Sequence, residues 1–296
     1  MKDNETGATI NQSLLLLPMS LFISSLNSGS NANCYYIGNR HEAVLVDAGL
    51  TCRETEKRML QLGLSMDKVK AIFVSHEHSD HITGLAGISK KHQLPVYITA
   101  ATSGNCRIPI EPQLVRDFQK NKPVKIGNLS IIPFLKSHDA KDPHSFMVSG
   151  QGINIGIITD IGHACKQVIK YFNQCHAAFL ESNYCADMLA NGSYPYHLQK
   201  RISSDEGHLS NAQALDLFVN YRSPDLRLLI LSHLSKNNNK PELVNRLFTE
   251  QAGDTQIVVA SRYVATPVFC IEENGITATP KTKRRATPDK RQLSLF

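Results

Sequence analysis

One stretch of six residues, 76–81, constrains the fold of this chain more than any other feature. It has the sequence His-Glu-His-Ser-Asp-His and directly follows the apolar run 71–75, which predicts a buried β-strand. Side chains at the end of a buried strand can converge on one point. Imidazole nitrogens and carboxylate oxygens are ligands of Zn²⁺ and, with more oxygen, of Mn²⁺. The stretch therefore predicts a metal site at the edge of a sheet.

Three more ligand-type residues follow predicted strands later in the chain. They are His138 after the run 129–134, Asp160 at the end of the run 153–159, and His233 after the run 228–232. A site with two metal ions needs more ligands than the first stretch supplies. Because strand ends can meet at one edge of a sheet, these residues are candidates for the remaining ligands.

The candidate ligands resemble the motif His-x-His-x-Asp-His of the metallo-β-lactamase superfamily, followed by a single His, a bridging Asp and a last His. Segments 28–34 and 43–49 are similar to the opening hairpin of that fold. The resemblance implies an α/β protein, a four-layer αβ/βα sandwich, with two divalent metal ions, Zn or Mn. One ion is bound by His76, His78 and His138, the other by Asp80, His81 and His233, and Asp160 bridges them. By the same resemblance, Asp47 orients the ligand loop from behind.

Two further segments resemble the motifs of RNase Z-type phosphodiesterases. Glu181 follows the apolar run 177–180, and residues 207–214 open a predicted helix with Ser210 as N-cap and Gln213 as its capping-box partner. The resemblance implies that His208, with Glu181, helps to protonate the leaving oxygen. In the two-metal site, we also expect Asp80 to steer the attacking hydroxide. The alternative for His208 is a surface histidine beside a helix cap.

Over residues 19–275 the chain resembles the YycJ (WalJ/VicX-like) metallohydrolases, which are similar to 5′-to-3′ DNA exonucleases. The matching segments include 28–31, 47–49, 75–84, 137–140, 142–146, 159–162, 207–211 and 232–235. The chain departs from the family pattern at Ser145, where glycine is expected, and at Cys185, near an expected acidic residue. Segment 103–111 also matches poorly. The resemblance implies a DNA exonuclease in replication or repair.

Three different functions are still compatible with the same residues. An RNA-processing nuclease is the nearest, but the 20 residues between Asp160 and Glu181 leave no room for the long RNase Z exosite arm. The 72 residues between Asp160 and His233 likewise cannot hold the extra domain of β-CASP nucleases. A small-molecule hydrolase for thioesters or lactones is the second function, and an adaptor that uses its metals structurally is the third.

Length and composition favour one α/β domain with tails. The 296 residues, 42% of them hydrophobic, can bury a substantial core, and predicted strands alternate with helical stretches. We assign 19–275 to the hydrolase domain and 1–18 to a disordered or mis-assigned extension. Seven cysteines without a Cys-x-x-Cys pair indicate free thiols of a reducing compartment, so we expect a cytoplasmic location. No apolar stretch reaches the ~20 residues of a membrane helix.

The last segment, 276–296, is predicted to be a flexible basic tail. Residues 281–296 carry a formal charge of +5 out of +6 for the whole chain. Such a tail can be a solvated linker or an arm that adds phosphate contacts. Its last five residues, Gln292 to Phe296, closely resemble the peptide that docks on the bacterial β sliding clamp. We therefore expect two partners, DNA and the clamp.

Overall fold

The computed structural model describes residues 20–272 and 275–279, and its framework is two β-sheets packed face to face. The strands are β1 (Ser20–Asn27), β2 (Cys34–Gly38), β3 (Ala43–Val46), β4 (Val69–Phe73), β5 (Val96–Tyr97), β6 (Val115–Arg116), β7 (Val124–Ile126), β8 (Leu129–Leu135), β9 (His144–Gly150), β10 (Ile153–Ile158), β11 (Ala177–Glu181), β12 (Leu228–Ser232), β13 (Gln256–Val259), β14 (Val268–Glu272) and β15 (Gly275–Thr279).

The helices lie between the strands along the chain. They are α1 (Cys52–Gln61), α2 (Ser79–Ile82), α3 (Leu85–His92), α4 (Ala100–Asn105), α5 (Lys166–Phe172), α6 (Ala186–Ala190), α7 (Tyr196–Ile202), α8 (Asn211–Tyr221) and α9 (Pro241–Thr249). Local chemistry explains where several of them begin. Thr51 caps α1 by accepting from the Glu54 amide, and Ser210 and Gln213 form the predicted capping box at the start of α8.

Strand order brings the ends of several strands to common edges. The first sheet runs β15-β14-β1-β2-β3-β4-β5-β6, and the second runs β13-β12-β11-β10-β9-β8-β7. In the first sheet β3 and β4 are parallel, and in the second β10, β11, β12 and β13 are parallel. Parallel neighbours end at the same edge, so the loops that follow them lie side by side.

Three apolar layers hold the sheets and helices together. The inner faces of both sheets form the central layer, where the ring of Phe73 packs edge-on to Phe146 and the ring of Tyr35 lies 4.9 Å from Phe179. Each such buried ring contributes about 1.5–3 kcal/mol by leaving water. A second layer lies under α5, α8 and α9, and a third lies under α1 and α3. Helices thus cover both sheets, and the predicted four-layer αβ/βα sandwich is confirmed.

The end of the domain differs from our prediction. Residues 276–279, which we assigned to the basic tail, belong to β15, which pairs antiparallel with β14. The alternation in Ile276 to Thr279 is short and polar, which is why the sequence did not indicate a strand. The predictions for 1–18, for the rest of the tail and for its last five residues lie outside the described residues. All seven cysteines are free thiols. None of the helices in residues 20–272 is long and apolar enough to cross a membrane.

Candidate metal centre

Three candidate site residues that follow strand ends have an unusual backbone conformation. Asp47, Asp160 and His233 have φ angles of 61°, 54° and 55°, and each lies within two residues of the end of β3, β10 or β12. Residues other than glycine rarely adopt this left-handed conformation, and it is typical of functional sites. The sharp turn holds all three side chains at the edge where the parallel strands end.

The loop at 76–81 is fastened to the turn that follows β3. The amide of Asn33 donates to Asp80 O, and the amide of Ala48 donates to His81 O, both at 2.7 Å. At Gly49 a Cβ atom would lie 1.8 Å from Asp80 O, so only glycine permits this approach. These backbone contacts fix the position of the ligand loop before any ion binds.

His76, His78 and His138 form what we call the three-histidine group. Nδ1 of His138 donates to the backbone oxygen of Gly207 at 3.0 Å, and Nδ1 of His76 lies 2.8 Å from Ser75 Oγ. The Nε2 atoms of these two residues therefore keep their lone pairs. Burial lowers the pKa of all three imidazoles, in His138 to about 3. Neutral imidazole is the form that binds a metal ion.

Asp80, His81, Asp160 and His233 form a second set, the carboxylate group. Nε2 of His81 lies 3.3 Å from Asp160 Oδ2 and 3.5 Å from Asp80 Oδ2. Nε2 of His233 lies 3.6 Å from Asp80 Oδ2, while its Nδ1 lies 3.2 Å from Asp160 Oδ1. Burial opposes charge on His233, but Asp160, Asp80 and Glu181 outweigh it and raise its pKa to about 10. This half is held together by buried opposite charges.

Asp47 connects the two groups from behind. Its Oδ2 accepts from Nδ1 of His81 at 2.7 Å and from the hydroxyl of Ser75 at 2.9 Å. Because Ser75 donates to Asp47, its oxygen is free to accept from Nδ1 of His76. One buried carboxylate therefore orients a histidine of each group. The Nε2 atoms of both histidines lie on the side of the ring away from Asp47 and Ser75. Such partners set the tautomer and direction of ligand histidines.

The unpaired atoms in this site are the ones that a metal ion would need. Nε2 of His138, Oδ2 of Asp160 and Nε2 of His233 are buried and have no hydrogen-bond partner. Buried polar atoms normally have a partner. The ligand atoms of each group lie within 4.8 Å of one another, and the rings of His76 and His81, one from each group, are 4.0 Å apart. The donor set, with its neutral imidazoles and buried carboxylates, fits two adjacent divalent cations.

Glu181 joins the carboxylate group to His208. Its Oε1 accepts from Nδ1 of His208 at 2.8 Å and from Nδ1 of His233 at 2.9 Å. Its Oε2 accepts from the amides of Ile161 and Leu209. Burial would raise the pKa of Glu181, but His208 and His233 lower it to about 2. The ring of His208 lies 5.1 Å from the rings of His138 and His233, so it borders both groups.

Sequence reasoning missed several residues that support the site. Asn33 donates to Asp80 Oδ2 at 3.0 Å, and Asn183 donates to the backbone oxygen of His233 at 2.7 Å. Lys136 is buried, its ammonium donates to the backbone oxygen of Thr159, and burial lowers its pKa. The only signal in the sequence was the closeness of these three residues to motif residues, since none of the three residue types by itself indicates support of a metal site.

The two residues that depart from the family pattern, Ser145 and Cys185, differ in burial. Ser145 is buried inside β9, and its hydroxyl has no hydrogen-bond partner. Cys185 precedes α6, and its amide donates to the backbone oxygen of Asn238. Neither side chain belongs to the three-histidine group or the carboxylate group.

Comparison with known proteins identifies the family. Residues 42–234 match the family described as Beta-lactamase superfamily domain. Exodeoxyribonuclease YycJ of Bacillus anthracis is 34% identical over 232 residues, which cover 76% of this chain and 86% of that protein. The chain belongs to the YycJ family of metallo-β-lactamase-fold hydrolases.

Two further relatives agree with this membership. Exodeoxyribonuclease WalJ of Streptococcus pneumoniae is 27% identical over 265 residues, covering 88% of this chain and 97% of its own. The crystal structure of the metallo-β-lactamase fold protein YhfI from Bacillus subtilis superposes with a TM-score of 0.66 at 15% identity, covering 83% of this chain and 99% of that one. The last match shows the fold alone. Our predictions of the superfamily, of the YycJ resemblance and of a metal-dependent hydrolase are confirmed.

Proposed function

We propose that this protein is a two-metal DNA exonuclease that cleaves in the 5′-to-3′ direction. The observation that carries the proposal is the position of His208, a partly exposed imidazole held by Glu181 beside both ligand groups. A thioester releases a thiolate, which leaves without a proton, whereas a phosphodiester needs its leaving oxygen protonated. The relatives named exodeoxyribonuclease support DNA as the substrate.

The proposal assigns each candidate ligand a place. His76, His78 and His138 would hold one ion, and Asp80, His81 and His233 would hold the other with Asp160 beside them, which we assign to both ions. Nitrogen and oxygen donors of this kind suit Zn²⁺ or Mn²⁺. When bound, two such ions would supply Lewis acidity, which lowers the pKa of water to near 7 and offsets the charge of phosphate oxygens.

The remaining steps belong to the chain's own side chains. Nδ1 of His208 is engaged by Glu181, so Nε2 is the atom that delivers the proton to the leaving oxygen. The carboxylate of Asp80, held by Asn33 and about one-fifth exposed, positions the attacking water. Together these residues can supply a general acid and an oriented nucleophile.

The basic end of the chain completes the proposal. Residues 280–296 lie outside the described part, and their role is inferred from sequence. We propose that Leu295 and Phe296 fill an apolar pocket on the β sliding clamp while Gln292 hydrogen-bonds at its rim. The basic residues before them would add contacts to DNA phosphates. A clamp partner suggests work in replication or repair in the cytoplasm.

RNA is the nearest competing substrate, and the chain segments between the site residues disfavour it. Residues 161–180 contain only α5 and the start of β11, and residues 182–232 contain α6, α7, α8 and β12. Neither segment carries an exosite arm or an inserted domain. A thioester or lactone hydrolase would use the same ligands. A thiolate leaves without a proton, so a thioester hydrolase gives no reason for the pairing of His208 with Glu181. Neither kind of hydrolase gives a reason for the clamp-like terminus.

The proposal is tested by incubating purified protein with end-labelled single-stranded and double-stranded DNA and RNA. Reactions contain Mn²⁺ or Zn²⁺, with EDTA controls, and 5′ and 3′ labels report polarity. We expect stepwise release of nucleotides from the 5′ end of DNA that stops with EDTA. Preferential cleavage of RNA, or hydrolysis of thioesters without cleavage of DNA, would overturn the proposal.

A further inference from the structure

An open pocket of about 300 Å³ adjoins the carboxylate group. Its wall includes Ser28, whose hydroxyl accepts from the amide of His233 at 2.8 Å, and Leu234, which follows that histidine. The opposite wall comes from the residues after β13, including Arg262 and Tyr263. The pocket is therefore one residue away from a candidate metal ligand, where a neighbouring part of a long substrate would lie.

The guanidinium of Arg262 is a partly buried charge without an acidic partner. Its Nη2 donates to the backbone oxygen of Leu234, and its Nη1 lies 3.5 Å from Ser30 Oγ. Within residues 20–272 and 275–279, no carboxylate forms an ion pair with it. Burial lowers its pKa, which is the signature of a cation that has lost water without gaining an anion. A bound anion would compensate this charge.

The protein holds this guanidinium in place. Gly29 has a φ of +146°, and a Cβ atom there would lie 3.2 Å from Cζ of Arg262. The missing side chain lets the guanidinium lie directly on the loop between β1 and β2. Asn31 of the same loop donates to the backbone oxygen of Arg262 at 3.1 Å. The charge is fixed at the pocket wall, which reduces the entropy lost when an anion binds.

Two exposed side chains extend the pocket. The side chain of Tyr263 is 67% exposed, so its ring face is open to a ligand. Lys236, also in the pocket wall, is exposed and adds a second positive charge. An exposed ring beside fixed and mobile cations is the combination that binds single-stranded nucleic acid, since the ring stacks on a base and the cations contact phosphates.

We propose that this pocket is the subsite for the nucleotide next to the scissile phosphate of a single DNA strand. Arg262 and Lys236 bind its phosphate, and the ring of Tyr263 stacks on its base. The inference rests on the proposed nuclease function. It adds the place where the neighbouring nucleotide binds and the expectation that a single strand binds there better than a duplex. A base in a duplex is already stacked and paired, so its face is not free for Tyr263.

The test compares variants of the pocket with matched variants elsewhere. Tyr263→Ala, Arg262→Gln and Lys236→Ala change the pocket. Tyr221→Ala, at the end of α8, and Lys125→Ala, in β7 at the opposite edge of the second sheet from β13, are the controls. Neither control residue lines the pocket. Metal content and melting temperature are measured for every variant, because they should match wild type if the change is confined to substrate binding.

Kinetics on two substrates give the main readout. With single-stranded DNA we expect Tyr263→Ala to raise KM about 5- to 100-fold, the range that loss of one stacked base implies, with a smaller change in kcat. Tyr263→Phe should restore KM. Methyl p-nitrophenyl phosphate has one phosphodiester and no neighbouring nucleotide, so all pocket variants should hydrolyse it at the wild-type rate. Both controls should resemble wild type on both substrates.

Binding without cleavage separates the pocket from the catalytic proposal. Fluorescence anisotropy with a labelled single-stranded oligonucleotide in EDTA should show weaker binding by the pocket variants. Arg262→Gln and Lys236→Ala should each reduce the salt dependence of log Kd by about one unit of slope, while Tyr263→Ala should leave the slope unchanged. If all three variants bind and cleave like wild type, the subsite proposal is wrong while the nuclease function stands.

Failure of the wild-type protein to cleave DNA would instead overturn the nuclease function. If Arg262→Gln does not fold, Tyr263→Ala and Lys236→Ala still decide the subsite.

Discussion

The two halves of the candidate metal centre differ in the charge of their histidines before an ion binds. The three-histidine group consists of imidazoles that burial keeps neutral, as the lowered pKa of His138 shows. The carboxylate group keeps His233 charged, because Asp160 and its neighbours more than offset burial. Metal ligands must be deprotonated to bind. The first group is therefore ready for an ion, whereas the second exchanges a proton for one.

The difference in charge implies that the ligands of the two groups are held in place by different interactions. Buried opposite charges already compensate one another in the carboxylate group before an ion binds. The three-histidine group lacks this compensation and depends on hydrogen bonds to Ser75 and Gly207. We infer that the carboxylate group is the preformed half, and that the ion in the three-histidine group completes the site.

The largest expected effect is the loss of a ligand from either group. Asp160→Ala and His78→Ala should each reduce DNA cleavage by at least about 10³-fold, because metal ions contribute several kcal/mol to the transition state. Folding should change little, since strands present the ligands. Metal content and a melting curve are measured for both variants. We expect His78→Ala to retain one metal ion per chain and Asp160→Ala to retain less than one. Two retained ions with near-normal cleavage would contradict the ligand assignment.

A smaller effect is expected at His208, which borders both groups without belonging to either. His208→Ala should slow cleavage by roughly 10²–10⁴, the range for a lost general acid, with both ions retained. Glu181→Gln should slow cleavage less, but it should also weaken metal binding because Glu181 contacts His233. Rates measured over several pH values with metal content check this. Full activity of His208→Ala at every pH would remove this residue from the mechanism.

The opposite electrostatics also predict opposite pH effects in the metal-free protein. The pKa of His138 is depressed in the folded state, so its contribution to stability is complete above about pH 6.5 and is lost as pH falls towards 3. The pKa of His233 is raised, so its contribution is complete below about pH 6.5 and is lost as pH rises through about 10.

Nuclear magnetic resonance of ¹⁵N-labelled histidine in EDTA-treated protein measures this directly. At pH 7.5 we expect His138 to be neutral and His233 to be protonated. His138→Asn and His233→Asn provide the assignments. If both rings titrate together near pH 6.5, the two halves do not differ in the way described.

The smallest effect on catalysis is expected from the end of the chain, which belongs to neither group. Deleting Gln292 to Phe296 should leave the metal-dependent cleavage of short DNA within about twofold of wild type. The same deletion should abolish binding to the bacterial sliding clamp. In a peptide covering Lys281 to Phe296, replacing Leu295 and Phe296 by Ala should suffice, because apolar anchors usually dominate such motifs.

Fluorescence anisotropy of labelled peptides against the clamp tests this prediction. Salt is the control, since binding through basic residues alone weakens with ionic strength and anchoring by Leu295 and Phe296 should persist. Equal weak binding by the wild-type and double-Ala peptides would leave the tail as a solvated arm.

Much of the fold and the candidate site could be predicted because their signals are local. The stretch at 76–81, the residues at strand ends and the capping box of Ser210 and Gln213 are visible over a few positions. A buried strand followed by a ligand-type residue marks the sheet edge. Parallel pairing of β10, β11 and β12 brings Asp160 and His233 to one edge. His138 reaches the same edge because β8 and β10 both pair antiparallel with β9 and so run in the same direction. Local pattern and tertiary arrangement agree at these positions.

Other features depend on contacts that no short pattern contains. The Arg262 guanidinium lies on Gly29, more than 200 positions earlier, and Asn33 reaches Asp80 across 47 positions. The polar strand β15 forms because β14 offers it an edge, which its own sequence does not show. Whether a histidine is charged depends on which carboxylates fold around it, so the contrast between His138 and His233 required the structure.

The central claim is that the two unlike groups form one catalytic centre. The most direct measurement titrates Mn²⁺ into metal-free protein while recording both bound metal and cleavage of a 5′-labelled single-stranded DNA. We predict two binding events per chain and cleavage that follows the second of them. Cleavage in EDTA, or full cleavage with a single bound ion, would contradict the claim.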